Sequence, residues 1–342
     1  PPEYGLLPRG EGFWALTRYE DVVRVSRDSK TFVSGRGTNI GDMPAELNEF
    51  FGSMINMDAP RHTQLRNLVN RGFTPRVVAQ VEDAIRQQAR RIIADVADTG
   101  SCEFVSEIAA RLPLKIICDM MGIPESDNQR IFEITNTILG VGDPEYVTSI
   151  ADLMSAGMEL FSYAQSLGQD RLQNPREDIT TTLMQGEVDG QRLTAQQFGS
   201  FFILLVVAGN ETTRTAISHG MKAFTENDDQ RQRWIADFEG LAPLAVEEII
   251  RWATPVIHFR RTTTQDVEVG GEKIREGQKV VMFYNSANRD EKAFVAPFRF
   301  DIGRRPNDHV GFGGGGAHFC LGANLARLEI KVMFEELFRA LP

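Results

Sequence analysis

Apolar residues recur at helical spacing over most of the chain. After Thr74-Pro75, which puts proline at a first helical position, Val77, Val78, Val81, Ile85, Ala89 and Ile92 share a face. Residues 104–121 repeat the pattern and stop at Gly122-Ile123-Pro124, and Ser126-Asp127 starts the next helix. Thr194 and Gln197 have capping-box spacing ahead of a very long helix through Phe198, Phe201 and Leu205 to about Phe224. Residues 241–252 form another helix, closed before Pro255. Beyond Pro255 the period shortens: 256–259, 267–269 and 279–284 read as strands, with Gly270-Gly271 and Glu276-Gly277 as turns. Helix returns over about 321–338. The pattern predicts a mainly α body with a small antiparallel β region inserted late. No repeat or Gly/Pro/Ser-rich linker divides it, so residues 1–342 read as a single domain.

The chain opens with Pro-Pro-Glu-Tyr and no initiator Met, and stops at Leu341-Pro342 just past a helical pattern. Truncation at both ends is therefore expected. Thirty-seven Lys and Arg against 47 Asp and Glu give 37 − 47 = −10, which argues against a nucleic-acid partner. Three scattered cysteines, Cys102, Cys118 and Cys320, cannot build a disulfide framework and suggest a reducing, cytoplasmic setting. The most apolar run, 201–208, is cut by Gly209-Asn210-Glu211, well short of the roughly 20 residues that span a bilayer. No signal peptide is evident.

Three constellations carry candidate chemistry. In Phe312-Gly313-Gly314-Gly315-Gly316-Ala317-His318-Phe319-Cys320-Leu321-Gly322, a phosphate loop would need Lys-Ser/Thr after the glycines; here a cysteine follows at a helix start. A thiolate there gains from the helix dipole, and glycines let backbone lie against something broad and planar. A proximal haem thiolate has this arrangement, and a buried structural cysteine is the alternative. His318 and Cys320 lack a second ligand pair in sequence, which disfavours zinc. The second is Ala208-Gly209-Asn210-Glu211-Thr212-Thr213-Arg214 inside the long apolar helix, where Gly costs about 1 kcal/mol relative to Ala. A hydroxyl and a carboxylate in a locally widened helix beside a cavity would suit proton delivery; a solvent-facing break is the alternative. The third, Glu248-Ile249-Ile250-Arg251, is an i, i+3 ion-pair spacing that means little by itself.

Together and in this order, these motifs resemble those of a cytochrome P450. The likeness extends to Trp14-Ala15-Leu16-Thr17-Arg18-Tyr19, Asp58-Ala59-Pro60-Arg61-His62 through Arg66, Phe73-Thr74-Pro75, 286–290 and Pro306-Asn307-Asp308-His309. Phe312 lies eight positions before Cys320, where the usual loop has seven. That extra glycine, with 51–55, 116–124, 139–144 and 201–214, is similar to the mycobacterial branch that hydroxylates methyl-branched lipids at the omega position or sterol side chains.

The resemblance implies a haem-thiolate monooxygenase with haem b and O2. Cys320 would be the axial iron ligand and Phe312 would pack beside it, with Gly313 and Gly322 in the same loop. His62, Arg66, Arg261 and His309 would hold the haem propionates. Thr212 with Glu211 would deliver protons, and Glu248, Arg251 and Arg304 would form the structural ion cluster. Ile40, Phe51, Leu139, Leu204, Val207, Ala208, Val256 and Ile257 would line the lipid or sterol pocket. His258 would be a strand histidine or a pocket residue. With no Gly-x-Gly-x-x-Gly fingerprint before a helix, electrons would come from a ferredoxin and its reductase, with Arg61, Arg66, Arg71 and Arg76 as a docking stretch. The rival expectations are a haem-thiolate ligand sensor without turnover and an inactive fragment.

Overall fold

The structure, a computed structural model, describes residues 12–140, 143, 149–188 and 190–341. Part of the 139–144 segment used above therefore lies outside the described residues. A short strand, β1 (Trp14–Leu16), leads into α1 (Tyr19–Arg27), and β2 (Phe32–Val33) follows. Glu20 and Asp21 open α1 while Arg24 and Arg27 close it, which complements the helix dipole. Next come α2 (Ala45–Gly52), α3 (Arg61–Val69), α4 (Pro75–Gln80) and α5 (Glu82–Ala97). The single helix expected after Thr74 is thus two. Thr74 caps α4 by accepting from the Val77 N–H at 3.3 Å, and Val81 breaks the run at φ −95°, ψ 0°.

After a π-helical turn at Val105–Ala109, α6 (Arg111–Met121) ends where Gly122 takes φ +72° and its N–H reaches the Asp119 carbonyl at 3.0 Å. α7 (Asn128–Leu139) and α8 (Ile150–Gln173) follow. The periodicity did not single out α8, although a Ser149/Asp152 capping box marks its start. α9 (Ile179–Gln185) and the small hairpin β3 (Glu187–Val188) and β4 (Gln191–Arg192) lead to the longest helix, α10 (Ala195–Glu226). Its capping box is as the sequence implies: the Gln197 N–H donates to Thr194 Oγ1 at 3.2 Å and the Thr194 N–H to Gln197 Oε1 at 2.9 Å.

Residues 198–206 of α10 are buried on every side, because α2, α6 and α8 surround the helix together with α12 (Phe238–Ala253) and α14 (Ala323–Ala340). No break or widening interrupts α10 through 208–213; it is regular α-helix there. α11 (Asp228–Ala236) connects α10 to α12.

The β region comprises β5 (His258–Thr263), β6 (Val267–Val269), β7 (Glu272–Ile274) and β8 (Lys279–Phe283), and α13 (Tyr284–Ala287) ends it. The first strand begins at His258 rather than 256, since Thr254 sits in the left-handed region at φ 39° and the chain turns before pairing. One sheet has the order β1-β8-β5-β2. Its β5–β8 and β2–β5 pairs are antiparallel as expected, but β1 pairs parallel with β8, Trp14 opposite Val280. A parallel pair needs a long crossover, and almost the whole helical body supplies it.

An aromatic knot closes the core under α10. The Phe224 ring lies 5.2–5.6 Å from those of Phe300, Phe334, Trp234 and Phe338. Phe224→Ala should therefore cost about 3–5 kcal/mol of stability. Urea unfolding should show an earlier midpoint with little change in slope.

Candidate active site

One large apolar cavity, about 1460 Å³ with the space at its open mouth included, lies between α10 and the loop that precedes α14. Its lining joins the sequence-distant groups. Cys320, Phe312, Gly313, Gly322, His62, Arg66, Arg261, Thr212, Leu204, Ala208 and Val256 all contribute.

The cysteine loop is held by its own backbone and by α1. The Cys320 N–H donates to the Phe312 carbonyl at 3.0 Å, so ring and thiol are set together. A Cβ on Gly314 would lie 2.9 Å from Ser26 Cβ, and one on Gly316, at φ +81°, 2.6 Å from the Ser26 carbonyl oxygen. These glycines thus admit α1 against the loop, and Gly313 faces the cavity. Burial pushes the Cys320 thiol up, opposed by the Gly322 N–H and the charges of Arg66 and Arg327.

On the opposite wall, the Thr212 hydroxyl donates to the Ala208 carbonyl at 2.9 Å, one turn back in α10. Glu211 is not among the lining residues; it forms an ion pair with Arg214, three positions on in α10. Two groups that the sequence reading missed take its place. Thr213 and Glu329 line the cavity, and Glu329 is only 2% exposed. Burial drives the Glu329 carboxyl up from 4.5 to about 8, against the lowering effect of a hydrogen bond from Thr213. It is therefore a neutral acid at pH 7. A charged residue on the apolar face of a helix, one position before Ile330, was the sequence signal.

A cluster rich in cations gathers at one side. His62 is buried with Nε2 unpartnered, and its ring lies 4.2 Å from that of His318. Arg66 donates to the Phe319 carbonyl at 2.7 Å and Arg261 to the Arg260 carbonyl at 2.8 Å. Burial lowers the pKa of His62, Arg66 and Arg261. For His318, burial together with Arg261, His62 and Arg66 carries it down to about 3. Nearby Asp58 is engaged elsewhere, accepting the backbone N–H groups of Ser34 and Gly35 at 2.8 Å each. Arg66 and Arg261 are thus bonded to carbonyl and amide oxygens, and the two imidazoles beside them are kept from charging.

His309 does not join them. Its Nε2–H donates to Glu247 at 2.9 Å and its Nδ1 accepts the Gly311 N–H at 3.1 Å, so both ring nitrogens are used, and it is not a lining residue. His318, noted in the sequence only as a poor zinc ligand, stands at the cavity in its stead. The two histidines are too close in sequence for spacing to separate them.

Glu248 and Arg251 do pair, at 2.8 and 2.9 Å, both fully buried, and Arg304 joins Glu248 at 3.0 Å.

Of the expected pocket residues, Ile40, Phe51, Leu139, Val207 and Ile257 are not in the cavity lining. Phe51 packs on Phe50, Val207 packs against the core, and Leu139 and Ile257 are exposed. Side-chain direction on a helix or at a strand entry decides this. Met54, Ile55, Ile117, Leu205 and Phe259 supply the missing apolar wall. His258 pairs across the sheet with Phe283 and is not a lining residue.

The haem-thiolate class suggested by this geometry agrees with the comparisons. The Cytochrome P450 family model matches residues 241–341. The chain is 54% identical over 336 residues to the methyl-branched lipid omega-hydroxylase of Mycobacterium bovis, covering 97% of this chain and 78% of that protein. It is 45% identical to the steroid C26-monooxygenase of Rhodococcus jostii, covering 100% of this chain and 72% of that protein. A solved Mycobacterium marinum cytochrome P450 in complex with pseudoionone superposes with a TM-score of 0.96 at 46% identity, covering 100% of this chain and 84% of that one. The chain belongs to the cytochrome P450 family, and it is a haem-dependent monooxygenase.

The residues present fit haem. A broad apolar cavity has a thiol at one wall and two guanidiniums, those of Arg66 and Arg261, at its edge, with the unpartnered Nε2 of His62 beside them. Among the described residues no helix is long and apolar enough to cross a membrane, and no other group of His, Cys, Asp or Glu could hold a metal ion.

The raised Glu329 pKa has a measurable consequence. The folded state keeps a proton that the unfolded chain releases, so this residue's contribution to stability is full below pH 4.5 and is lost as pH rises to about 8. Glu329→Gln should flatten the fall in stability over that window, as read by urea midpoints from pH 5 to 8.5; an unchanged pH slope would show that Glu329 is ionised.

Proposed function

We propose that this chain hydroxylates an unactivated C–H bond of a lipid, at the end of a methyl-branched chain or sterol side chain. The observation that carries this is a single apolar cavity whose lining contains both Thr212 and Cys320. The names of the two relatives above support the same substrate class.

In this reading Cys320 is the axial iron ligand, and His62, Arg66 and Arg261, with His318, hold the propionates. Charge-assisted hydrogen bonds to carboxylates would add to the carbonyl contacts of Arg66 and Arg261 and would satisfy the unpartnered Nε2 of His62. When bound, haem supplies the iron that activates O2, so that one oxygen atom enters the substrate C–H bond and the other leaves as water. Thr212 holds a proton at Oγ1, and Thr213 and Glu329, which share the lining with it, are the polar groups on its side of the cavity, while Glu211 is tied to Arg214 outside the lining. Leu204, Ala208, Val256, Phe259 and Met54 exclude water and bind the alkyl chain, with about 0.8 kcal/mol gained per buried CH2.

Electrons come, we infer, from a ferredoxin and its reductase. No flavin or nicotinamide fingerprint is present in the sequence, and the basic stretch offers a surface for an acidic partner. Arg76 is exposed there, Arg61 is exposed but paired with Glu49, and the Arg71 side chain lies outside the described residues. Arg66 belongs to the cavity instead. Three unpaired thiols support a reducing, cytoplasmic setting.

Four measurements test this. Incubation with a ferredoxin, its reductase, NADPH and either phytanic acid or cholestenone should yield a terminally hydroxylated product. Thr212→Ala should consume NADPH with much less product, and Cys320→Ser should lose the thiolate-type ferrous–CO band. Tight substrate binding with no product would favour the sensor reading. Separately, Arg71→Glu with Arg76→Glu should slow reduction of the iron by ferredoxin while substrate affinity holds; unchanged reduction rates would remove this surface from the docking site.

A further inference from the structure

A second charged group sits behind the cysteine loop, outside the cavity, and neither the ion cluster of Glu248 nor the propionate cluster uses it. Glu247 grips Arg327 through both carboxylate oxygens, at 2.5 and 3.0 Å, and accepts from His309 at 2.9 Å. The Arg327 guanidinium in turn lies 4.5 Å from the centroid of the Phe312 ring. His309 is 5.9 Å from the same ring, centroid to centroid. Phe312 is tied to Cys320 by the backbone bond at 3.0 Å.

We infer that Glu247 and Arg327 are positioning residues for the sulfur of Cys320: the pair clamps Phe312 and sets the electrostatic potential at the thiol by near-cancellation of two charges. The inference rests on the assignment of Cys320 as the iron ligand. The physical basis is charge held close to the loop at a half-buried site, where solvent screens it only in part. Arg327 acts on Cys320 in the direction that favours the thiolate. Glu247 is held as an anion; burial pushes its pKa up, but His309 and Arg327 outweigh that and bring it to about 2. A fork-to-fork Arg–carboxylate pair fixes the guanidinium plane, and a fixed plane over an aromatic face is what a cation–π contact requires. His309 contributes geometry, because Nδ1 accepts from Gly311 and so leaves Nε2–H for Glu247. This also accounts for the placement of His309 away from the propionate cluster.

The two halves of the pair predict opposite outcomes. Removing the cation leaves an anion beside the loop, and removing the anion leaves a cation. A nearby cation favours the ferrous form and a nearby anion the ferric form. The experiment uses the haem-loaded protein and reads the ferric/ferrous midpoint potential by spectroelectrochemical titration, with the ferrous–CO spectrum alongside.

Arg327→Gln should shift the potential negative. Glu247→Gln should shift it positive. Combining the two should bring the potential back towards that of the parent, although the packing behind Phe312 is then doubly disturbed. Arg327→Lys keeps the charge and loses the planar stack, so its potential should stay near the parent's. Should Arg327→Gln fail to take up haem, Glu247→Gln and Arg327→Lys still decide the matter. Shifts of one sign in both single variants, or no shift in Glu247→Gln, overturn the charge-setting role and leave a packing contact only. A parent protein without a thiolate-type band overturns the ligand assignment beneath it, and that result is read before any variant is made.

Discussion

The arrangement depends first on one buried carboxylate. Glu248 accepts from Arg251, from Arg304 and from the Asp301 N–H at 2.9 Å, and none of its surface meets water. Removing one member of a buried ion cluster costs about 3–5 kcal/mol, because the others are left charged and unpaired. The arginines spend their remaining donors on carbonyls of Asn288, Pro297, Val295, Ala296 and Arg299. These residues lie in irregular chain, which has no ladder of its own to satisfy its backbone. The cluster acts as its scaffold. Asn288 then passes the constraint on, since its Oδ1 accepts the Val310 N–H at 2.8 Å just ahead of the cysteine loop.

From that anchor the cavity acquires two electrostatic characters. The side with Arg66 and Arg261 carries two guanidinium charges that burial makes costly, with the imidazoles of His62 and His318, both held below their ordinary pKa, beside them. The side with Thr212, Thr213 and Glu329 is polar but neutral. Between them the wall is apolar. A dianionic, largely apolar planar group satisfies both needs at once, which is why haem suits the site better than a smaller anion would. The cations hold its carboxylates and the apolar wall accepts its rings.

Most of the helical framework could be read from the chain. The capping box at Thr194, the proline after Thr74 and the left-handed stop at Gly122 are local signals, and each appears where its residues require it. The parallel β1–β8 pair could not be read, since three residues near the amino end carry no mark of a partner at Val280. Helix α8 was overlooked because its apolar positions spread around the helix, as happens when neighbours pack on several sides. In the site, the three motifs identified the right segments but not which side chain in each would face inward. Glu211 and Glu329, or His309 and His318, differ in orientation and not in chemistry.

The sequence by itself determined most of the long helices, several of their ends, the thiol loop and the Glu248–Arg251 spacing, because each depends on residues within a turn or two of one another. Only the tertiary structure decided which histidine meets the cavity, that Glu329 is a neutral acid, and that Glu247 and Arg327 close behind Phe312. Those outcomes depend on how much water and which charges surround a side chain, and both are supplied by segments distant along the chain.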